Sequence, residues 1–290
     1  MADSSRIDPE LVHTHKFPEV PFFLDPFMLI FMRDAALYAL GVGACARDAV
    51  DDDELKYVYH ENWTKICAGR ANVCCCIFTC ITTKWFSYAR VRILNKVSLA
   101  GLHDKGKAAV LEIETKSYQK ESGELLCMNR TTFFLRGAGG FSKSSQPYSY
   151  SNYPTNKVSA VKIPKTQPFA AFEDCTQPSQ ALLYRLSGDY NPLHSDPMVA
   201  KIAGFSRPIL PGLCTLGFAV RAIIKCICRG DPNLVKSISG RFLLHVYPGE
   251  TLITEMWLEG LRVIYQAKVK ERNQTVLSGY VDIHRLTSSV

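Results

Sequence analysis

Tyr184–Cys228 reads YRLSGDYNPLHSDPMVAKIAGFSRPILPGLCTLGFAVRAIIKCIC, a tight polar loop followed by a long apolar helix. The helix opens at Ile209-Leu210-Pro211-Gly212. Beyond it Leu213, Leu216, Gly217, Val220, Ile223, Ile224 and Ile227 recur at steps of three and four, with Arg221, Lys225 and Arg229 on the other side. Pro211 suits a first turn, where the missing N–H costs nothing, and it leaves the amides of Gly212 and Leu213 free at the helix start. An apolar stripe of that length needs a surface to pack on. Downstream, Val235–Tyr247, Thr251–Leu258, Arg262–Glu271 and Thr275–His284 are predicted strands, turned by Pro248-Gly249-Glu250, Glu259-Gly260 and Asn273-Gln274. In the third, Val263, Tyr265, Ala267 and Val269 line one face, while Arg262, Gln266, Lys268 and Lys270 mostly take the other. A helix followed by an antiparallel meander is the order of an α+β domain.

The loop before the helix carries an acid and a base. Asp189 and His194 are five residues apart, too far to meet on an extended strand. Gly188 permits an unusual backbone angle, Asn191 bonds its own main chain, and Pro192 fixes φ, so the loop can curl and bring both side chains together. A carboxylate and an imidazole on one water form a general acid/base pair, and free amides at a helix start hold a developing oxyanion. Those parts suit the addition of water across a double bond conjugated to a thioester carbonyl. The plainer reading of Gly-Asp-x-Asn-Pro is a hydrophilic turn, with His194 a helix-start residue. The histidine, the Pro208-Ile209-Leu210 approach and the apolar helix weigh against it. A calcium loop is excluded: Ala200 stands where the bidentate glutamate would fall, and Leu193 offers only a main-chain oxygen.

Ser187–His194, Ala203-Gly204-Phe205 and Pro208–Thr215 together resemble the hydratase-2 motif of MaoC-like (R)-specific 2-enoyl-CoA hydratases, and the wider chain is similar to the family's plant peroxisomal branch. The resemblance implies a double hot-dog fold, in which two halves each wrap an antiparallel sheet around a helix. It implies reversible hydration of trans-2-enoyl-CoA to (3R)-3-hydroxyacyl-CoA in fatty acid β-oxidation, with an acyl-CoA thioester as partner and neither metal nor cofactor. Asp189 and His194 would act on a shared water, Asn191 would hold the loop or the water, and the Gly212 N–H would hold the thioester oxygen. Tyr190, Pro192 and Leu193, together with Lys105 and Phe242, are implied substrate contacts. Arg241 is a candidate for a phosphate, which guanidinium matches bidentately. A turn lysine at 105 and a carboxylate-paired Arg241 are the plainer alternatives. The family usually has His before the glycine; here Pro211 keeps the main-chain donor and removes a side chain. Two other functions on this fold stay open: a non-catalytic acyl-CoA-binding or scaffolding protein, and a thioesterase.

At 290 residues the chain accommodates one large domain or two ordinary ones. The expected division is a first half over 1–150, a linker over 151–166, and a catalytic half over 167–290, with Gly, Ser, Pro and Tyr enriched from Gly137 onward. In the first half Arg33–Val50 has helical character, with Asp51-Asp52-Asp53 at its exit, and Lys107–Tyr118 and Glu124–Arg136 form a predicted hairpin around Lys120–Gly123. Between them Asn62–Leu94 is rich in Cys, Ile, Thr and aromatics, with neither strand alternation nor an amphipathic helix. The family's first central helix belongs there, so the first hot-dog is expected to be incomplete. Either another segment, such as the apolar Val20–Met32, covers the bare sheet face or this copy is altered.

A net charge of +7 with no Lys/Arg stripe suits a polyphosphate such as coenzyme A better than nucleic acid. Eleven cysteines without a secretory signal are expected to be reduced, and Cys67, Cys74, Cys75, Cys76 and Cys80 lack the paired spacing of a zinc site. No apolar run reaches the roughly twenty residues of a membrane span. The family resemblance implies the peroxisome, although the final Ser288-Ser289-Val290 is only distantly of the Ser-Lys-Leu type. A homodimer is one assembly open to the chain.

Overall fold

The structure, a computed structural model, describes residues 20–23, 36–59, 92–143, 146–151 and 161–284. The chain forms two units, Met1–Pro26 with Lys84–Val158 and Phe27–Thr83 with Ser159–Val290. In the first unit β1 (Val20–Phe23), β2 (Arg92–Asp104), β3 (Ala108–Gln119), β4 (Leu125–Arg136) and β5 (Tyr148–Ser149) make one antiparallel sheet. Its order is β1-β2-β3-β4, and β5 joins β1 on the free edge of β2. The expected hairpin is β3–β4, with Ile113 opposite Thr131. Val20–Phe23 of the early apolar run is a strand; its residues 24–32 lie outside the described residues. So do residues 62–91 of the Cys-rich run and the C-terminal tripeptide, while 92–94 open β2. Among the described residues of this unit none is helical.

Glu114 is buried on this sheet. Glu114 accepts from Arg130 (2.9 Å) and Ser151 Oγ (2.8 Å) and pairs with Lys116 at 3.0 Å. Burial pushes its carboxyl up, but these donors outweigh burial and leave it below the usual glutamate range.

The second unit joins α1 (residues 36–41) and α2 (Asp52–Leu55) to elements from far along the chain. These are β6 (Ala170–Cys175), α3 (Gln180–Arg185), α4 (Pro197–Ile202), α5 (Gly212–Cys226), β7 (Val235–Phe242), β8 (Thr251–Glu259), β9 (Arg262–Val269) and β10 (Gln274–Ile283). The sheet runs β6-β8-β9-β10-β7, antiparallel throughout. Four of its strands fall where alternation predicts them. β6 does not: Gln167–Thr176 reads in sequence as an approach to α3. Among the described residues it is an edge strand paired only to β8, and only Asp174 of it is fully buried, so its alternation is faint.

α5 is buried without a break from Cys214 to Val220, which requires walls on more than one side. The sheet is one wall, with Leu216 packed over Gly240. Residues 36–58 are the other. Gly217 admits Val42 so closely that a Cβ there would lie 2.3 Å from Val42 Cγ1. Arg221 therefore points into protein, not solvent. Its Nε donates to the Val42 carbonyl (3.0 Å) and its guanidinium pairs with the buried Glu54 (2.5 Å) and with buried Asp174. Lys225 pairs with Asp51 beside it. The helix expected over Arg33–Val50 is also shorter than its composition implies. Gly43 adopts φ +86°, and the Ala44 and Gly43 amides bond the carbonyls of Ala39 and Leu40, so the chain ends α1 in a left-handed cap. Asp51 is not an exit but the cap of α2, accepting the Asp53 amide at 3.0 Å.

Candidate active site

Gly188, at φ +108°, turns the chain out of α3 in a backbone conformation that other residues rarely adopt. Asp189 Oδ1 then accepts the Asn191 amide (3.3 Å), and Asn191 Oδ1 accepts the Leu193 amide (3.1 Å). These two successive Asx turns wind the loop into a short 3-10 helix over Pro192–His194. The winding brings Asp189 Oδ2 to 3.9 Å from His194 Nε2. That gap is too long for a direct hydrogen bond and short enough for one water to bond both groups.

The imidazole's other nitrogen, Nδ1, lies 2.8 Å from the Ile209 carbonyl. A carbonyl offers only lone pairs, so Nδ1 carries the hydrogen, and in the neutral ring Nε2 presents a bare lone pair toward Asp189. The histidine side chain is 11% exposed and the aspartate 31%, so the pair is shielded while still reachable.

The start of α5, at Gly212, lies three residues beyond the Ile209 carbonyl that holds His194. Pro211 is buried and extended (φ −55°, ψ 137°), no side chain caps the helix, and the first amide bonded back along the chain is Thr215 to the Pro211 carbonyl (3.1 Å). Among the described residues the amides of Gly212 and Leu213 have no partner. Asp189 acts on this first turn: the Cys214 thiol is pushed well up, by burial first and by the Asp189 charge second. That thiol donates to the Gly41 carbonyl at 3.3 Å. The Phe242 ring packs over Gly212, 3.2 Å from where a Cβ would sit, and is itself half-exposed.

Asp189, Asn191 and His194 are thus brought together, with Pro192 and the half-buried Leu193 in the loop between the acid and the base, and Gly212 is brought against Phe242. Tyr190 is 66% exposed, its ring 5.2 Å from the Arg185 guanidinium, which also reaches the Asn191 carbonyl at 3.5 Å. Arg241 is not brought in. Its strand neighbours Gly240 and Phe242 face α5, so the alternation of β7 puts Arg241 on the opposite face of the sheet. Lys105 belongs to the first unit, on the β2–β3 turn, where Asp104 accepts the amides of Gly106 (2.7 Å), Gly140 (2.9 Å) and Ser142 (2.7 Å). Sequence reading misses Ile209, whose contribution is a main-chain oxygen with no residue-type signal, and Arg185, whose role depends on the curl of the loop. Among the described residues no group of three His, Cys, Asp or Glu is placed to hold a metal, and no helix is long and apolar enough to cross a membrane.

An antiparallel sheet laid on one central helix, with an acid and an imidazole at that helix's start, defines a hot-dog domain of the acid–base type. The MaoC-like domain family matches residues 156–279 and the MFE-2 hydratase 2 N-terminal domain matches residues 88–137, and the chain belongs to this MaoC-like family. It is 59% identical to the peroxisomal enoyl-CoA hydratase 2 of Arabidopsis thaliana, over 99% of this chain and 98% of that one. The 311 aligned positions exceed the 290 residues present, so that relative carries residues this chain lacks. The N-terminal match begins only at residue 88, within the last residues of the Cys-rich run. A MaoC-like dehydratase from Phytophthora capsici superposes with a TM-score of 0.70 at 28% identity, over 97% of this chain and 100% of that one. The full-length peroxisomal multifunctional enzyme type 2 of Drosophila melanogaster gives 0.67 at 29% identity, over 92% of this chain and 48% of that one. The architecture is the double hot-dog.

Proposed function

We propose that this chain is a hydro-lyase that reversibly adds water to trans-2-enoyl-CoA, giving (3R)-3-hydroxyacyl-CoA, in peroxisomal fatty acid β-oxidation. The observation that carries the reading is the 3.9 Å gap between Asp189 Oδ2 and a bare His194 Nε2, together with the Gly212 amide, which has no partner among the described residues. A water in that gap donates one hydrogen to each acceptor and turns its remaining lone pairs toward substrate. As its oxygen bonds C3, one member of the pair takes its proton, and electron density moves to the thioester oxygen. The Gly212 N–H stabilises that oxygen, with the positive end of α5 behind it. A proton from the pair then goes to C2, so one water is added and no charge is left over. Asp189 and His194 act as one coupled unit. Asn191 holds the loop, its side-chain oxygen being taken by the Leu193 amide.

Phe242, Tyr190, Pro192 and Leu193 are proposed as the walls around the acyl thioester, and Lys105 as a coenzyme A contact. A thioesterase is disfavoured where the thiol is concerned, because Cys214 is held protonated by burial and by Asp189 and so makes a poor nucleophile. A homodimer belongs to the same proposal and is read from mass in solution. Crotonyl- and decenoyl-CoA lose their conjugated-thioester absorbance on hydration, and free thiol is assayed in parallel. Asp189→Asn and His194→Ala are expected to lower kcat by about 10² or more. Wild-type turnover in either folded variant removes that residue from the chemistry. Binding without absorbance loss in the wild type supports a non-catalytic acyl-CoA binder, and thiol release a thioesterase.

A further inference from the structure

His194 does not end at Ile209. The Ile209 carbonyl that accepts from Nδ1 (2.8 Å) shares its peptide group with the Leu210 N–H, which donates to the Val246 carbonyl at 2.7 Å. That carbonyl in turn shares its peptide group with the Tyr247 N–H, which donates to Glu250 Oε2 at 2.7 Å. A peptide group is planar and trans, so its N–H and C=O point in opposite directions and are polarised together. Three short hydrogen bonds and two peptide groups therefore run unbroken from the imidazole to a carboxylate. Val246 and Leu210 are buried, and Glu250 is 8% exposed, so the path is shielded from water.

The far end is built to stay fixed. Arg272 grips Glu250 with two nitrogens, Nε to Oε1 at 2.7 Å and Nη2 to Oε2 at 2.9 Å, and Nη2 also reaches the His245 carbonyl at 2.7 Å. The Glu250 carbonyl takes both the Thr176 amide (3.1 Å) and its hydroxyl (2.8 Å). A second contact ties the two strips of chain together: the Phe205 ring meets His245 edge-on at 5.0 Å.

We infer that Glu250, held by Arg272, is the positioning residue for His194, fixing its hydrogen on Nδ1 through the peptide groups 209–210 and 246–247. Neither residue touches the reacting atoms. The carboxylate draws the Tyr247 hydrogen, which makes the Val246 oxygen a better acceptor, and the Ile209 oxygen likewise. The tautomer that leaves Nε2 bare is thereby favoured, and the ring is held toward Asp189. A neutral acceptor in place of the carboxylate supports the same geometry more weakly.

This inference rests on the catalytic reading of His194 for its kinetic consequence but not for its spectroscopic one. The test uses the full chain with 15N-labelled histidine, reading the two ring nitrogens of His194 by NMR with kcat and KM for decenoyl-CoA in parallel. The wild type is expected to show Nδ1 protonated and Nε2 bare in the neutral ring. Glu250→Leu/Arg272→Met removes carboxylate and guanidinium together, a replacement that buried pairs often tolerate in stability. It is expected to give a mixed tautomer and a kcat about tenfold lower at little-changed KM, the lower end of what loss of an outer partner costs a metal-bound histidine. Glu250→Gln, which keeps an acceptor for Tyr247, is expected to restore most of both. A surface ion pair removed elsewhere, Arg262→Leu/Asp282→Leu, should leave tautomer and kcat alone. An unchanged tautomer in the folded double variant overturns the inference, as does a wild-type ring protonated on Nε2. A shifted tautomer with unchanged kcat leaves the relay standing and refutes the catalytic reading of His194.

Discussion

Arg221→Met tests the clamp on α5. The arginine side chain is 11% exposed and serves two carboxylates, Glu54 and Asp174, which are 7% and 6% exposed. Removing one partner of a buried ion pair costs about 3–5 kcal/mol, because the other charge stays behind uncompensated. The structure decides where in that range this variant falls. Glu54 keeps Lys225 at 3.6 Å and the Cys45 amide at 2.8 Å, so it is not orphaned. Among the described residues Asp174 keeps only Arg47, at 3.9 Å and 62% exposed, so a single carboxylate bears the loss. The lower end, about 3 kcal/mol, is therefore expected. In a unit of this size it corresponds to a melting point lower by roughly 6–12 °C. Circular dichroism melts at neutral pH read the shift, and Arg221→Met/Asp174→Leu should recover most of it by removing the stranded charge. A single variant within about 2 °C of wild type, or a double variant no more stable than the single, would show that the guanidinium does not hold this wall.

The other expectations are smaller in scope. Gly217→Ala places a methyl 2.3 Å from Val42 Cγ1, an overpacking of about 1–3 kcal/mol by urea denaturation, and Val42→Ala in the same chain should relieve it. Glu114 has its folded carboxyl below its unfolded value, so its stabilisation is present above the unfolded value and disappears as pH falls through the folded one. Stability measured from pH 6 downward should therefore drop in the range of about 4 and below, and Glu114→Gln should flatten that limb. If the variant keeps the wild-type slope, the Arg130–Ser151 cradle is not its source.

Much of the second unit was legible because its strands obey a period of two and its helix a period near 3.6. Val263, Tyr265, Ala267 and Val269 face the core as their alternation requires, and the curl that joins Asp189 to His194 follows from Gly188, Asn191 and Pro192. Part of what escaped did so through distance along the chain. Arg221 and Lys225 read as a solvated helix face because their acidic partners, Asp51 and Glu54, lie some 170 residues earlier. Asp174 belongs to an edge strand whose only buried residue is that charge. Arg241 qualifies by residue type alone, and only the placement of Gly240 and Phe242 against α5 turns it to the other face. The links from His194 to Glu250 pass through main-chain groups, which every residue has and no motif records.

Residues 36–58 and the helix they cover stand on either side of Lys84–Val158, the larger part of the first unit, in the order of synthesis. As the chain leaves the ribosome, Val42 and Glu54 follow β1, then β2 to β5 of the first sheet emerge, and only afterwards Gly217 and Arg221. Closing a loop of that length costs more chain entropy than a local contact, though the cost grows only logarithmically. The second unit therefore cannot be completed during translation until its earliest piece has waited through the making of its neighbour. A nascent chain stalled before residue 212 would carry that piece without its helix, and is where a chaperone that binds exposed apolar segments would be needed.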